Sequence, residues 1–363
     1  MIMFAAMLVV ILFVFAIAYY LATKMSKIKI LRLNQLPLFG KMMLSIVVFL
    51  LAFITKSVML AFLIYLILFL FIGDLISFFI RCFGTKLHTI WNKVYAKGIL
   101  AVSLALIVTG YGWYNVKQIQ VKEYDIKLTK EFNGIEKLRI AAISDLHLGT
   151  TMKEEGLADL VEQINSLNPD IIFLVGDIYD ESTSENLKTA SFEEFEKLTS
   201  TYGTYYVIGN HELYETNGYT KDIEGLKSAG VTVLLDESVL VADSFYVVGR
   251  QDVSLTRMGQ MRKSLDSILA GLDSSYPILL LNHQPDEMEE ADSLGVDLQL
   301  SGHTHAGQIF PGNLIVSLFN DMGYGKKQFN HMTAIVSSGV GAWGFPVRVG
   351  SNSEIIVVNT YGK

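Results

Sequence analysis

Cysteine is almost absent from this sequence, since Cys82 is the only one in 363 residues. A single cysteine excludes an intrachain disulfide, and it excludes a zinc site built from several thiolates. Internal repeats and low-complexity tracts are also absent. The fold therefore cannot depend on disulfides, and any metal site needs ligands other than a set of thiolates.

Acidic residues are scarce in the first third of the chain. Residues 1–116 contain ten Lys and Arg but a single acid, a net charge of +9, whereas residues 117–363 contain nineteen Lys and Arg and thirty-five acids, a net charge of −16. An apolar, basic segment followed by a polar, acidic one predicts a transmembrane region over 1–116 and a soluble domain over 117–363. The acid excess of this domain argues against a nucleic-acid partner, because such surfaces need clustered basic residues.

Long uncharged runs predict about four transmembrane helices, at 1–22, 42–55, 57–80 and 98–116. Helices of soluble proteins rarely stay apolar on every face over such lengths. Residues 1–22 lack the basic n-region of a cleaved signal peptide, so we interpret them as a retained anchor. The sequence thus predicts an integral membrane protein.

Basic loops predict the orientation of these spans. Two groups follow the first and third spans, namely Lys24, Lys27, Lys29, Arg32 and Lys41, and Arg81, Lys86, Lys93 and Lys97. The positive-inside rule makes both loops cytoplasmic and places the large domain outside the cytoplasm. Four lysines between 117 and 130 weaken this assignment. Asp74 lies inside the third span, and we expect it to snorkel or to pair with Arg81.

Short apolar runs alternate with helical periodicity from Leu138 onward. Strands are predicted at 138–144, 171–176, 204–209, 231–235, 245–249, 277–282, 297–301, 334–338 and 354–359. Helices are predicted at 153–167, 185–199 and 219–228. This pattern predicts an α/β domain, and the strand-rich later part indicates a second sheet packed on the first.

Carboxylate, imidazole and amide side chains follow five of these strands. The motifs are Asp145-x-His147, Gly176-Asp177, Gly209-Asn210-His211-Glu212, Asn282-His283 and Gly302-His303-Thr304-His305. Ligands gather beyond the carboxyl ends of strands in α/β sheets, so these side chains can converge on one pocket. We expect Asp-x-His and His-x-His each to project both side chains to one side of an extended segment. Such donors suit manganese, iron or zinc, and a carboxylate can bridge two ions.

The order of these motifs resembles the calcineurin-like metallophosphoesterase superfamily over roughly residues 138–359. The tail from Gly341 to Arg348 is similar to a bacterial membrane-associated branch that includes YkuE- and YaeI-like enzymes. That branch often reads His-Thr-His-Gly-Gly-Gln and Gly-Asn-His-Asp, whereas this chain has Ala306 and Glu212, and neither change removes a ligand. The resemblance implies a two-sheet β-sandwich flanked by helices, two divalent metal ions with manganese favoured in vitro, and a bacterial plasma membrane.

The resemblance also implies a role for each matching position. One metal would be held by Asp145, His147, Asp177 and His305, and the other by Asp177, Asn210, His283 and His303, with Asp177 bridging. His211 matches the catalytic histidine, which either protonates the leaving oxygen or holds the phosphate. Arg348 is expected to contact a substrate phosphate or to be an exposed arginine. Glu212 and Asp180 either orient ligands or are loop residues, and His331 is interpreted as a loop residue.

These roles predict hydrolysis of a phosphate ester. Two divalent ions exceed the charge of Asp145 and Asp177, so they would attract a phosphate, and a water bridging them would be acidified and attack phosphorus. We therefore expect a membrane-anchored hydrolase of a phosphodiester or pyrophosphate, with a lipid-linked substrate as the attractive case. A protein or small-molecule phosphomonoesterase is an alternative, and so is a non-catalytic, metal-stabilised binding module at the membrane. The sequence indicates no protein partner.

Overall fold

The computed structural model describes residues 15–24, 35–83, 85–95, 98–215, 218–320 and 322–362. The chain divides into two compact units, Met1–Trp113 and Tyr114–Lys363. Residues 15–24 are helical, and the earlier part of the predicted first span lies outside the described residues.

The first unit is helical. Its labelled helices are α1 Leu38–Ile54, α2 Val58–Arg81, α3 Thr85–Tyr95 and α4 Ile99–Asn115, of which α4 ends in the second unit. By length and composition, α2 is the one described helix that is long and apolar enough to cross a membrane. A bent pair, Lys86–Tyr95 and Ile99–Asn115, passes the same test only when both helices are counted together. The segment at 85–95 was expected to be a loop, so the arrangement of four spans stays a prediction.

Asp74 does not pair with Arg81 as predicted. Its carboxylate forms an ion pair with Lys24 and accepts hydrogen bonds from the hydroxyls of Tyr20, at 2.8 Å, and Tyr95, at 3.1 Å. Arg81 instead donates to His88, at 3.0 Å. The predicted pairing was wrong because α3 folds back along α2 and brings Tyr95 to the carboxylate, a contact that the expected loop could not supply.

The second unit contains twelve strands among its described residues. They are β1 Ile119–Lys127, β2 Lys137–Ile143, β3 Ile171–Val175, β4 Thr204–Val207, β5 Val231–Val233, β6 Glu237–Val241, β7 Phe245–Gly249, β8 Ile278–Leu281, β9 Leu298–Ser301, β10 Gly325–Gln328, β11 Thr333–Val336 and β12 Ser353–Tyr361. The helices are α5 Glu154–Ser166, α6 Glu185–Phe195, α7 Asn210–Tyr214, α8 Thr220–Ser228, α9 Ser254–Arg257, α10 Leu265–Leu269, α11 Met288–Ser293 and α12 Gly312–Phe319. A turn of 3-10 helix covers His305–Gly307.

The strands form two six-stranded mixed sheets. One has the order β1-β12-β2-β3-β4-β5, and the other has the order β10-β11-β9-β8-β7-β6. Neighbouring strands from β2 to β5 are parallel, as are β7, β8, β9 and β11. Parallel strands share one carboxyl edge, so the loops after β2, β3 and β4 lie together, and so do those after β8 and β9.

Alternating side chains of the strands build the layers. In β3, Ile171, Phe173 and Val175 belong to the core between the two sheets, whereas Ile172 and Leu174 pack under the helices on the outer face. Such strands are buried on both faces, which explains their continuous apolar sequences. The opposite outer face is covered by α10 and α11. The predicted two-sheet sandwich flanked by helices is confirmed.

Candidate metal centre

The five motifs meet at the carboxyl ends of their strands. Asp145 and His147 follow β2, Asp177 follows β3, and Asn210 begins α7 just after β4. His283 follows β8, and His303 and His305 follow β9. Potential ligand atoms lie within 4.8 Å of one another in three groups, which are Asp145, His147 and His305; His147, Asp177 and His211; and Asp177, His283 and His303. Asp177 is thus the one residue that the second and third of these groups have in common.

The donor atoms face one another at short distances. Nε2 of His147 lies 3.2 Å from Nε2 of His305, and Nε2 of His305 lies 3.5 Å from Oδ1 of Asp145. Oδ2 of Asp177 lies 3.9 Å from Nε2 of His147 and 2.9 Å from Nε2 of His283. Asp177 therefore stands between the two halves of the cluster, as a bridging ligand would.

The backbone reaches this arrangement through left-handed conformations. Five of the predicted ligands have φ between 44° and 70°, namely Asp145, His147, Asp177, His303 and His305. Such conformations are strained for residues with a side chain, at about 1–3 kcal/mol each, and they concentrate at functional sites. The expectation of extended Asp-x-His and His-x-His segments was wrong, because tight left-handed turns bring these side chains together.

Two histidines are oriented by acceptors outside the cluster. Nδ1 of His283 donates to the carbonyl oxygen of Val175, at 2.8 Å, and Nδ1 of His147 donates to Oδ2 of Asp180, at 3.2 Å. Because each acceptor requires a proton on Nδ1, the nitrogen that faces the cluster is Nε2. Metal-binding histidines in proteins are generally oriented by such hydrogen bonds.

Two buried polar atoms inside the cluster have no hydrogen-bond partner. They are Oδ1 of Asn210 and Nε2 of His283, the second of which is close to Asp177 but not aligned for a hydrogen bond. Buried polar atoms normally have partners, and both of these belong to predicted ligands. Together with the carboxylates and imidazoles around them, they fit a pair of divalent cations.

Close packing of the backbone explains one glycine in the motifs. A Cβ atom added to Gly209 would lie 2.2 Å from Oδ1 of Asp177, and it would also collide with the Asp177 backbone nitrogen. A side chain at position 209 would therefore push Asp177 out of the cluster.

The histidines and carboxylates shift one another's pKa values. Burial alone would raise the pKa of Asp177, but the charge of the neighbouring His283 holds it well below its ordinary value. Burial would lower the pKa of His283, but Asp177 raises it well above the usual range. Burial and the charge of His147 hold the pKa of His305 well below its ordinary value. A divalent cation would replace the proton that His283 holds and would bind the neutral His305 directly.

Glu212 anchors the loop that carries Asp177. Its buried carboxylate accepts hydrogen bonds from the backbone N–H groups of Asp177, Ile178, Tyr179 and Gly209, at 2.6–3.1 Å. Burial and the neighbouring Asp177 raise the pKa of Glu212 to about 8, and the backbone donors act in the opposite direction. Of the two predicted roles for Glu212, these contacts favour orientation of a ligand.

We expect Glu212→Gln to loosen this loop. The amide would turn donors toward backbone N–H groups that have no other acceptor, so the free energy of unfolding should fall by about 1–3 kcal/mol. Metal affinity should fall about 10–100-fold, as when other partners of ligands are lost. Thermal unfolding and metal titration of the full-length protein would measure both effects, with Glu224→Gln on the exposed side of α8 as the matched control. Unchanged values for Glu212→Gln would contradict the anchoring role.

Asp180 also has more contacts than a loop residue needs. It accepts from Nδ1 of His147 and from the backbone N–H of Ser182, at 2.7 Å. Burial would raise its pKa, but hydrogen bonds from His147 and Ser182 lower the pKa of Asp180 to about 2. The carboxylate is therefore charged at neutral pH and holds the His147 ring in place.

His211 lies at the open side of the cluster. Its backbone N–H donates to Oδ1 of Asp177, at 2.8 Å, and its ring stands edge-on to His147, with centroids 4.9 Å apart. The side chain is 14% exposed, so it can reach both the cluster and an incoming molecule. Nδ1 contacts Oε2 of Glu181, at 3.1 Å, and the ring lies 5.7 Å from that of Trp343. Neither neighbour was predicted. Glu181 carries no sequence signal, whereas Trp343 belongs to the family-like tail.

Arg348 has a different environment from either predicted one. It has no exposed surface, and burial lowers the pKa of its guanidinium to about 10. Its donors reach the carbonyl oxygens of His305, Ser338 and Gly341, at 2.5–3.3 Å. Both predictions for Arg348, the substrate contact and the exposed side chain, are therefore corrected. The buried guanidinium donates its hydrogen bonds to loops around the cluster. His331 is exposed and lies between β10 and β11, as expected for a loop residue.

Comparison with known proteins agrees with this site. The family described as calcineurin-like phosphoesterase matches residues 138–307. An uncharacterized metallophosphoesterase of Helicobacter pylori is 34% identical over 275 residues, which cover 74% of this chain and 72% of the relative. A transmembrane protein with metallophosphoesterase domain from Danio rerio is 32% identical over 273 residues, or 71% of this chain and 61% of that protein. The uncharacterized metallophosphoesterase YkuE of Bacillus subtilis is 28% identical over 281 residues, which cover 72% of this chain and 93% of that protein.

The chain therefore belongs to the calcineurin-like phosphoesterase family. Its matched region contains all seven predicted ligands and His211, and it ends before Arg348. The protein is a metal-dependent phosphoric ester hydrolase, with His and Asp clusters that are able to bind metal ions.

Proposed function

We propose that the protein is a membrane-anchored hydrolase that binds two divalent metal ions and cleaves a phosphodiester or pyrophosphate, with a lipid-linked substrate. One ion would be held by Asp145, His147, Asp177 and His305, and the other by Asp177, Asn210, His283 and His303. The observation that carries this proposal is the position of Asp177, whose carboxylate reaches both halves of the cluster. Manganese is the proposed ion for reconstitution, because it suits mixed oxygen and imidazole ligands.

Metal ions in such a site acidify a water and neutralise the charge of a phosphate. The protein's own residues orient the reacting groups. Glu212 and Asp180 fix the Asp177 loop and the His147 ring, so the ligands are held before a substrate arrives. His211, at the open side, is placed to donate a proton to the leaving oxygen or to hold the phosphate.

The membrane part of the proposal has three supports. The helix α2 is long and apolar enough to cross a membrane, and the Danio rerio relative is named a transmembrane protein. The basic loops of residues 1–116 favour an extracytoplasmic domain in a bacterial plasma membrane. Protease added to intact spheroplasts should then cleave the domain, and protection in intact spheroplasts with cleavage after lysis would reverse the orientation.

A comparison of esters tests the substrate class. We expect full-length protein, purified in detergent and supplied with Mn²⁺, to hydrolyse a nitrophenyl phosphodiester faster than a nitrophenyl monoester. A pyrophosphate that carries an acyl chain, presented in mixed micelles, should be hydrolysed faster than either. Preference for the monoester would favour a phosphomonoesterase, and a folded, metal-loaded protein that hydrolyses none of the three would favour the binding module.

A further inference from the structure

The helix α12 presents an apolar surface to solvent. Leu314 and Ile315 are each 52% exposed and Leu318 is 79% exposed, and Phe310, just before the helix, is 43% exposed. A helix that packs on a soluble core normally buries such residues. We call Phe310, Leu314, Ile315 and Leu318 the apolar face. Contiguous exposed apolar surface on a soluble domain marks a place where something else binds.

Positive charge lies beside α12, along the side of the helix away from the apolar face. Lys326 and Lys327 are exposed on the edge strand β10, and they line one groove of about 530 Å³ together with Asn313, Val316 and Ser317 of α12. On the same side, Lys122 contacts the hydroxyl of the half-exposed Tyr324, at 3.0 Å. These lysines stand out in a domain whose net charge is strongly negative. Apolar residues beside lysines are typical of helices that lie in the interface of an anionic membrane.

The chain enters the second unit on the side of this groove. Asn115, the last residue of α4, donates to the carbonyl oxygens of Arg348, at 3.3 Å, and Ser351, at 2.9 Å. Val116 accepts from the hydroxyl of Ser353, at 2.8 Å. Ser351 also lines the groove beside α12. The chain thus enters the second unit beside the groove that α12 and β10 line.

Backbone contacts connect the apolar face with the metal centre. The Gln308 side chain donates to the carbonyl oxygen of Trp343, at 3.0 Å, and accepts from its N–H, at 2.9 Å. Trp343 is 47% exposed, and its ring lies 5.7 Å from His211. Phe310 follows Gln308 by two residues. The buried Gln308 therefore connects the segment beside His211 with the start of α12.

We propose that α12 lies in the interface of an anionic bilayer, with the apolar face among the acyl chains and Lys326 and Lys327 among the headgroups. This position turns the open side of the metal centre toward the membrane surface. The substrate is then a phosphate ester whose lipid part stays in the bilayer while its headgroup reaches His211. This identification of the substrate rests on the proposed function, whereas the docking of α12 does not. A bilayer is favoured over a second copy of the chain because the exposed lysines beside α12 complement the charge of anionic headgroups.

Depth-dependent quenching tests the docking without any catalytic readout. Full-length Cys82→Ser/Leu318→Cys protein, labelled with an environment-sensitive fluorophore, would be reconstituted in vesicles of phosphatidylcholine and phosphatidylglycerol that contain acyl-chain nitroxide lipid. The matched control is Cys82→Ser/Glu224→Cys, because α8 flanks β5 at the opposite edge of the sheet from β1. We expect quenching at 318 to exceed that at 224 by at least about threefold, as for a helix buried at the acyl boundary. Equal quenching at both positions would overturn the proposal.

Charge reversal of the β10 lysines provides a second test of the docking. Lys326→Glu/Lys327→Glu should reduce quenching at 318 about twofold or more in vesicles with phosphatidylglycerol, because each lysine near an anionic surface favours binding. Lys221→Glu/Lys227→Glu on α8 is the matched control and should leave the quenching unchanged. Equal effects of the two pairs would contradict a role for the β10 lysines. If the nitroxide lipid does not quench the label at 318, and the labels instead quench one another, the apolar face binds a second copy of the chain. That result would overturn docking to the bilayer.

Kinetics separate this proposal from the proposed function. Ile315→Asp/Leu318→Asp should leave hydrolysis of a water-soluble nitrophenyl phosphodiester unchanged. It should lower kcat/KM for an acyl-chain phosphodiester in vesicles by at least about tenfold, because two aliphatic side chains at the acyl boundary become carboxylates. If the variant and the unmodified protein hydrolyse the vesicle substrate at equal rates, the substrate does not depend on the docking of α12, and this part of the proposal is overturned. If the unmodified protein hydrolyses neither ester, the proposed function fails, and the quenching result still decides whether α12 docks.

Discussion

Replacing Asp177 by Asn is expected to lower kcat by at least about a hundredfold. The Asp177 carboxylate reaches His147 on one side and His283 on the other, so an amide would remove the charge that both halves of the cluster share. Loss of a residue that only hydrogen-bonds to a metal ligand already lowers metal affinity or activity by about 10–100-fold. Loss of a bridging ligand should lower activity further. Initial rates on a nitrophenyl phosphodiester at saturating Mn²⁺ would measure the effect.

The control for this variant is Asp243→Asn. Asp243 is also an aspartate with a left-handed φ, of 49°, but it lies in the exposed turn between β6 and β7. Its replacement should leave kcat unchanged. If Asp177→Asn at saturating metal turned over as fast as Asp243→Asn, the assignment of the metal centre would be wrong.

Replacing His211 by Ala is the second large expected effect. Its ring stands beside His147 at the open side of the cluster and is held through Nδ1 by Glu181. A group that transfers a proton in the transition state contributes about 10²–10⁴-fold, so a comparable loss in kcat is expected. Metal content should stay the same, because seven other side chains are proposed to hold the ions. Elemental analysis and initial rates on the same preparation would establish both points.

The two roles open to His211 differ in their dependence on the leaving group. If His211 protonates the leaving oxygen, His211→Ala should affect an alkyl diester far more than a nitrophenyl diester, whose leaving group needs no proton. If His211 holds the phosphate, both esters should slow equally. His331→Ala, in an exposed loop, is the matched control. Full activity of His211→Ala on both esters would exclude either role.

The interior of the fold was predictable from the sequence, whereas three of its four edge strands were not. Strands such as β3 and β8 are buried on both faces, so each is a continuous apolar run that stands out in the sequence. The three unpredicted strands, β1, β6 and β10, are edge strands, and most of their residues are exposed or only partly buried. Their sequences contain many polar residues, because only a strand's buried positions are required to be apolar. A run of apolar residues therefore cannot identify them.

The members of the metal centre were predictable because chain order and strand ends determine where they lie. Asp177 and His283 are 106 positions apart, yet each directly follows a central strand, and the two side chains lie 2.9 Å apart. The local geometry was not predictable. Left-handed turns at His147 and His303 depend on contacts with other loops, which no short motif encodes.

Arg348 shows why a motif alone does not define a role. An arginine in a family-like tail suggests a phosphate contact, but its burial is decided by carbonyl oxygens at His305, Ser338 and Gly341, which the fold alone brings together. Asp74 is a similar case. Its partner Lys24 lies 50 positions earlier in the sequence, whereas Arg81, the partner considered from the sequence, lies only seven positions later.

Metal content measured together with turnover shows most directly whether two bound ions are needed for hydrolysis. Full-length protein would be stripped of metal with a chelator, titrated with Mn²⁺, and followed by elemental analysis and hydrolysis of a nitrophenyl phosphodiester. We expect turnover to be lost on stripping and to return as about two ions bind per chain, and Asp177→Asn not to regain it. Turnover that persists in fully stripped protein, or that returns equally in Asp177→Asn, would show that the cluster is not a catalytic pair of metal sites.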